Sequence, residues 1–204
     1  MSIHTNTKDL KRAQGVVRGA IRAVEKAQFR AVNRVTSKTR TLASKKIREE
    51  VRLKAAYINQ NLKVTKKASI NDPEAVITGR KRPTRLARYG AKQLARAAKS
   101  KNASGDSVRG IAPGRKQAGV SVSVSRRGGR KKMRKAFLIP LKSAGVMGVF
   151  TRNGSGRGDI RHRYGPSVDQ VFRGVRKGLK PEIRRNLAAE YSRQFAHAAR
   201  KEIK

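Results

Sequence analysis

Cysteine and tryptophan are absent from the 204 residues, and acidic side chains are scarce. Without thiols there is no disulfide, no thiolate nucleophile and no cysteine-ligated zinc. Aromatic residues make up only 4% of the chain, so the 37% apolar content rests largely on alanine and valine. Such side chains suit close helix packing and thin sheets better than one thick core. No apolar run reaches the roughly 18 residues of a membrane span, and residues 1–10 hold no signal-peptide core. The expectation is a protein made and kept in the cytoplasm until something carries it elsewhere.

Positive charge is what the chain has in excess: 52 Lys+Arg stand against 12 Asp+Glu, a formal net charge of +40. Self-repulsion on that scale opposes compaction, so a folded form implies a polyanion, an assembly partner or salt screening. Nucleic acid is the commonest such polyanion. The charge is concentrated in mid-chain, where residues 75–158 carry 22 basic side chains and the single acid Asp106, giving +21 by subtraction.

Residues 7 to 51 predict a helix, because Leu10, Ala13, Val17, Ala20, Val24, Ala27 and Ala31 alternate spacings of three and four. Asn6 is its N-cap candidate, with Asp9 in the first turn. Gly15 and Gly19 each cost about 1 kcal/mol relative to alanine, so the helix needs a packing partner, and part of its seam is expected to meet another chain. Thr36, Ser37, Thr39 and Thr41 lower helix propensity and allow a split into two helices, the second carrying Leu42, Ile47 and Val51. A short helix over 53–62 with Tyr57, Ile58 and Leu62 inward is followed by strands over 64–70 and 75–78, joined at Asn71-Asp72-Pro73. Ala91–Ala98 reads as a short helix, and 100–118 as a mobile basic loop.

From Gly119 to Ser125, Val120, Val122 and Val124 alternate with serines, the pattern of a half-buried strand. Gly128-Gly129 supplies a turn, 134–141 a return strand with Pro140 near its edge, and 145–151 a third strand of an antiparallel meander. Pro166 suits the first position of a helix carrying Val168, Val171, Phe172 and Val175, with Gly178 at its stop. Pro181 then opens a last helix with Ile183, Leu187, Tyr191, Phe195, Ala198 and Ala199 inward. The fold class is α+β: a long N-terminal helix or helix pair, a small antiparallel β-meander with a basic hairpin, and C-terminal helices. Three segments follow, namely an N-terminal helical segment over 1–52, an α+β core over 53–178 holding the basic loop, and a C-terminal helical arm over 179–204.

Catalysis finds little support. His4, His162 and His197 are scattered, and no carboxylate pair stands at helical or hairpin spacing, so no catalytic set, metal ligand or cofactor is expected. Asp159 and His162 lie among Arg157, Arg161 and Arg163, which fits a surface salt bridge. Gly154-Ser155-Gly156-Arg157-Gly158 lacks the Lys-Ser/Thr and following helix of a P-loop, and fits a hairpin connection. The tip Arg126–Lys135, with seven Lys+Arg among ten residues, is a mount for cations aimed at phosphates. Candidate phosphate contacts are Arg126, Arg127, Arg130, Lys131 and Lys132, joined by Arg80, Lys81 and Arg82. No zinc spacing, RNP aromatic motif or helix-turn-helix pattern accompanies them, so contact is expected to be independent of base sequence. A basic scaffold of ribosomal or nucleoid type fits the same composition. A membrane-surface protein lacks the aromatic, leucine-rich face it needs.

The run Lys135-Ala136-Phe137-Leu138-Ile139-Pro140-Leu141-Lys142, then Gly148-Val149-Phe150-Thr151-Arg152, a Gly-rich loop and Tyr164-Gly165-Pro166-Ser167-Val168 resembles the phage minor tail protein Z family, the tail-completion proteins of long-tailed phages. Phe137, Val149, Phe150, Arg152, Tyr164, Gly165, Pro166 and Ser167 are the motif positions, taken as structural. Weaker likeness at Ala56-Tyr57-Ile58 and Arg82-Pro83-Thr84-Arg85-Leu86 extends it over residues 50–185. One departure is Arg161-His162-Arg163, where mixed charge is expected, and it bears on protein contacts carried over from the family. The resemblance implies a structural virion protein at the head-proximal end of the tail, which completes the tail and positions the DNA end for ejection. It further implies a homo-oligomeric ring, a hexamer by tail symmetry, around packaged double-stranded DNA. The tail terminator and tail tube would be its protein partners, with no small-molecule substrate and the host cytoplasm as the place of assembly.

Overall fold

The computed structural model describes residues 7–141, 146–154, 156 and 158–203. They form an α+β chain in two compact units. One comprises the described residues up to Ala43, Lys63–Thr78 and the chain from Arg176 onward; the other comprises Ser44–Leu62 and Gly79–Val175.

The first unit is built on the long helix α1 (Thr7–Glu50) and the C-terminal helix α3 (Val168–Glu202). The hydroxyl-rich stretch that allowed a split leaves α1 whole. Thr36 Oγ1 donates to the Val32 carbonyl at 2.7 Å, Ser37 Oγ to Asn33 at 3.2 Å and Thr41 Oγ1 to Ser37 at 3.3 Å. These hydroxyls find acceptors four residues back inside the helix instead of competing with it. The expected cap, Asn6, lies outside the described residues.

The buried stripe of α1 shares Ala27 and Ala31 with the three-four seam read in the sequence and otherwise departs from it. Gly19, Ala23, Ala27, Ala31, Val35, Thr39 and Ala43 are buried, one at every fourth position. Leu10 and Val17 are 63% and 58% exposed. A spacing of four follows the i±4n ridge, which runs obliquely to the helix axis. Helix α3 lies antiparallel along it: Lys26 pairs with Glu202, whereas Arg34 and Lys38 meet Glu190 at 3.3 and 3.6 Å. Small side chains permit the approach, and at Gly19 any Cβ would run into the Glu202 carbonyl.

Helix α3 corrects two further expectations. It continues through Pro181 instead of starting there. A proline in a helix interior removes one hydrogen bond; Lys177, Lys180 and Pro181 are exposed, so the gap falls on the solvent side of the helix. Its buried line is Leu179, Glu190, Gln194 and Ala198, with Leu187 36% exposed. Of the expected inward set Ala198 is buried as read, whereas Leu187 lies off the buried line, which Glu190 and Gln194 complete.

Glu190 has a side chain only 3% exposed. Gln194 Nε2 donates to its Oε1 at 2.9 Å, and this bond, with Lys38, Arg34 and Arg193 behind it, holds the carboxyl below its ordinary value of 4.5. Replacing Glu190 by alanine leaves the buried Gln194 amide unsatisfied. The expected loss is about 1–3 kcal/mol, measured by urea unfolding at neutral pH, because the three cations are exposed and re-solvate at little cost. A depressed carboxylate contributes stability that is complete above its unfolded value and is lost as pH falls through the folded one. Glu190→Gln should therefore flatten the acid limb of the stability curve below about pH 4.5.

The same unit holds a two-stranded sheet of β1 (Leu62–Lys66) and β2 (Val76–Gly79). Asn71-Asp72-Pro73 lies in the connection as expected, with Lys66 bonded to Asp72 at 2.7 Å and Glu74 at 2.8 Å. The Asn33 amide clasps Ala68, donating to its carbonyl at 2.8 Å and accepting from its N–H at 2.9 Å.

The second unit carries α2 (Ala55–Asn61) and three sheets. Strand β3 (Thr84–Arg85) pairs with β10 (Tyr164–Gly165). Strands β4 (Lys92–Ala97), β5 (Arg115–Val122) and β6 (Lys131–Met133) form one antiparallel sheet. Strands β7 (Ala136–Pro140), β8 (Met147–Arg152) and β9 (Ile160–His162) form the expected meander. Strand β4 replaces the short helix predicted over 91–98: alanine favours helix, but pairing with β5 decides. Residues 115–118 belong to β5, and within the preceding stretch Asp106 and Ile111 exchange backbone hydrogen bonds of 2.8 Å. The hairpin returns on β6, and 136–140 leave it for the β7 sheet. A bulge opposite Leu94 and Ala95 includes Gly119 at φ +106°, where a Cβ would stand 2.5 Å from the Met133 carbonyl oxygen. Both faces of β5 near its end are covered: Ser121 and Ser123 are buried along with Val120 and Val122.

The core of this unit is Ile47, Ile58, Leu62, Tyr89, Val120, Val149 and Val168, each under 2% exposed. Helix α3 starts at Val168, two residues beyond Pro166, with Ser167 as its cap: Ser167 Oγ accepts the Gln170 N–H at 3.0 Å. Tyr89 donates from its phenol to the Pro166 carbonyl at 2.6 Å, and burial pushes that phenol up to about 12.

Candidate nucleic-acid interface

Two groups of cations in the second unit stand without enough acid beside them. The first is the β5–β6 connection. Arg126 and Arg127 are exposed at its start, with the Arg126 N–H bonded to the Glu50 carbonyl at 2.9 Å and Arg127 Nη2 at 3.4 Å from Glu50 Oε1. Lys131 and Lys132 are exposed on β6 opposite Val122 and Ser121. Adjacent strand residues face opposite ways, so these two ammonium groups serve the two sides of the ribbon.

Arg130 is held differently from the other four. Its Nη2 donates to the Gly90 carbonyl at 2.7 Å and the Ser121 carbonyl at 2.9 Å, and its Nε to Ser121 Oγ at 3.2 Å. The guanidinium ties the returning strand to β5 and to the end of the 86–89 turn.

The second group surrounds a cleft of about 180 Å³ lined by Tyr57, Arg80, Arg82, Pro83, Arg85, Arg88 and Tyr164. Of the candidates Arg80, Lys81 and Arg82, the first and last line this cleft and Lys81 does not. Arg85 and Arg88 escaped the sequence reading. Their signal is the spacing of three between Arg85 and Arg88: Leu86–Tyr89 is a 3₁₀ turn, with Arg85 just before it and Arg88 inside it. Arg88 sits over the Tyr57 ring at 4.4 Å, and Arg80 Nη1 donates to Asn61 Oδ1 at 3.3 Å. Among the described residues, no carboxylate lies within ion-pair distance of these four arginines.

Beside the cleft an aromatic ladder crosses the meander. Phe137, Phe150 and His162 are direct cross-strand partners on β7, β8 and β9. Phe150 and His162 stack with centroids 4.5 Å apart, Tyr164 meets His162 at the same distance with its ring tilted by 37°, and Arg152 caps Phe137 at 5.9 Å. The strand carrying Val149 and Phe150 needs Gly148, where a Cβ would stand 2.5 Å from Phe150 Cε2 and 3.2 Å from His162 Nε2.

His162 Nε2 is buried without a partner, while Nδ1 lies 3.1 Å from the Tyr164 hydroxyl. Burial, then the Arg85 charge, lowers its pKa from 6.5. The unfolded chain then binds more protons than the folded one below 6.5, so stability is complete above that pH and falls as pH drops through the lowered value. His162→Phe keeps the stack and removes the titration. Its thermal midpoint should be flatter than wild type between about pH 7 and pH 5, followed by circular dichroism.

Among the described residues no helix is long and apolar enough to cross a membrane. None of the curated proteins and none of the solved structures compared matches the chain. A family match does cover nearly all of it: residues 11–204 match prophage minor tail protein Z (GPZ). With the α+β architecture and the tail-protein motifs in place, the chain belongs to the prophage minor tail protein Z family, and it is a structural component of a phage tail.

Proposed function

We propose that the protein completes the head-proximal end of the tail as a ring of identical subunits, a hexamer matching tail symmetry. It positions the DNA end for ejection through basic, sequence-independent contacts. The observation that carries this is the exposed β5–β6 tip: Arg126, Arg127, Lys131 and Lys132 project from a ribbon whose geometry Arg130 fixes. Cations on a fixed ribbon hold phosphates without reading bases, and each contact releases easily in salt. No observation comparably favours a ribosomal or nucleoid scaffold, or any catalytic role.

Replacing the four tip cations by glutamine in the phage should leave tails assembled and infectivity lowered. Normal infectivity with normal assembly would sink the DNA-end role. Electron microscopy of tails carrying a labelled copy tests the position, since label at the distal tip contradicts it.

The surface for subunit contact is the N-terminal half of α1. Leu10, Gln14, Val17, Ile21, Val24 and Gln28 alternate spacings of four and three, and Leu10, Val17, Ile21 and Val24 are 40–63% exposed. Ala13 and Ala20 flank this seam on one side, so a parallel neighbouring copy would set its Lys11 and Arg18 beside alanines rather than beside like charges. Val17→Glu with Ile21→Glu should keep the thermal midpoint of the monomer and abolish self-association in sedimentation velocity. Unchanged association rules this face out.

A further inference from the structure

We infer that the arginine cleft is a built binding site for one phosphate group. Tyr57, Arg80, Arg82, Pro83, Arg85, Arg88 and Tyr164 line about 180 Å³, and among the described residues no carboxylate forms an ion pair with any of its four guanidinium groups. Like charges gathered around so small a volume repel one another, and an anion between them removes that cost. The chain has acids it could have placed here. Instead Glu50 pairs with Arg127 and Asp169 with Arg173, at 3.4 and 2.9 Å.

The walls are held before any ligand arrives. Arg85 lies on β3 directly opposite Tyr164 of β10, in a pairing that continues through Thr84 and Gly165. Arg88 is stacked on Tyr57, whose hydroxyl reaches Thr84 Oγ1 at 3.5 Å, and Arg80 is steadied by Asn61. Arg85 is half-buried, whereas Arg80, Arg82 and Arg88 are exposed, so an anion can reach the site from solvent.

The donor set selects the ligand. All four cations are arginines, whose planar forks match the oxygens of phosphate in pairs, and the intervening Lys81 is left outside. A carboxylate has two oxygens and one charge, too few acceptors for four forks. A phosphate has three or four oxygens and up to two charges. The group could be the terminal phosphomonoester of a nucleic acid or free inorganic phosphate, since a backbone phosphodiester offers only two free oxygens and one charge, as a carboxylate does. None of the lining residues belongs to the β5–β6 tip.

Thermal unfolding in phosphate, against chloride at equal ionic strength, tests the site on the full chain. The midpoint should rise with phosphate concentration, as for a ligand that binds only the folded state. Arg82→Gln, at an exposed position, and Arg85→Gln should each weaken the apparent phosphate affinity by about tenfold, while Arg88→Lys, which keeps charge but loses the fork, should weaken it less. Neither glutamine variant should lower the midpoint in chloride, because each removes a repulsion. Equal shifts in phosphate and chloride, or wild-type responses in both glutamine variants, would overturn the site. The tip variant of the previous section should keep the phosphate response, so a failure of the DNA-end role and a failure of this site are told apart. Anisotropy with duplexes carrying 5′-phosphate or 5′-hydroxyl ends names the source. Tighter binding of the phosphorylated end, lost in Arg85→Gln, supports the site with nucleic acid as its ligand, and a phosphate response without that difference supports it with the free anion.

Discussion

Gly165→Ala should cost the folded protein about 2–3 kcal/mol, at the upper end of what overpacking usually does. A Cβ there would stand 2.6 Å from Tyr89 Cε2, 3.1 Å from Cδ2 and 3.3 Å from Cζ. The ring has nowhere to go: Tyr89 is fully buried and its hydroxyl is bonded to the carbonyl of Pro166, the residue after the substituted glycine. The strain therefore enters the backbone on one side and the core on the other. A double-mutant cycle isolates it. In a Tyr89→Ala background the clash is gone, and Gly165→Ala should cost less than about 1 kcal/mol, read by urea unfolding with an unchanged slope. Equal costs in both backgrounds would show that the glycine is needed for something other than room for the ring. The same substitution should loosen the pairing of Tyr164 with Arg85 and the Ser167 cap of α3, since all three share four consecutive residues.

Much of this junction was legible as a motif and little of it as a mechanism. Tyr164-Gly165-Pro166-Ser167 stands out by its residue types, yet its partner Tyr89 lies far away in sequence, and no local pattern announces that contact. The same division runs through the fold. Helix α1 followed from periodicity, but periodicity chose Leu10 and Val17 as inward, because it scores apolarity and cannot see that small residues at every fourth position admit a neighbouring helix. Glu190 and Gln194 were passed over on α3 for the same reason, since a buried acid is recognisable only once Arg34 and Lys38 are beside it. Strand β4 was hidden under alanines. At the surface, the basic tip was plain from composition and the Gly-Gly turn, whereas the tethering of Arg130 depends on two carbonyls supplied by Gly90 and Ser121. Arg85 and Arg88 needed the 3₁₀ turn to be known before their spacing meant anything.

That tethering decides how the tip should behave toward DNA. Glutamine at Arg126, Arg127, Lys131 and Lys132, with Arg130 kept, should reduce the slope of log K against log salt by 3 to 4, at about 0.9 per phosphate contact, and weaken duplex binding roughly a thousandfold near physiological salt. Arg127 carries less than full weight in that sum, because Glu50 already offsets part of its charge at 3.4 Å; Glu50→Gln should accordingly tighten binding and steepen the slope. Arg130→Gln should act on the other quantity. It removes the donor to the Ser121 carbonyl and hydroxyl on β5 and to the Gly90 carbonyl at the end of the 86–89 turn, so the thermal midpoint falls while the slope changes by less than one contact is worth. Anisotropy of a labelled duplex over a salt series, repeated with an unrelated base sequence, measures all three variants. A quadruple variant with the wild-type slope would move DNA contact away from this ribbon. The expected loss explains why many weak cations suit the proposed role better than a few strong ones. A terminus held by several contacts, each screened within a Debye length, stays in place while all are made and leaves quickly once they begin to break.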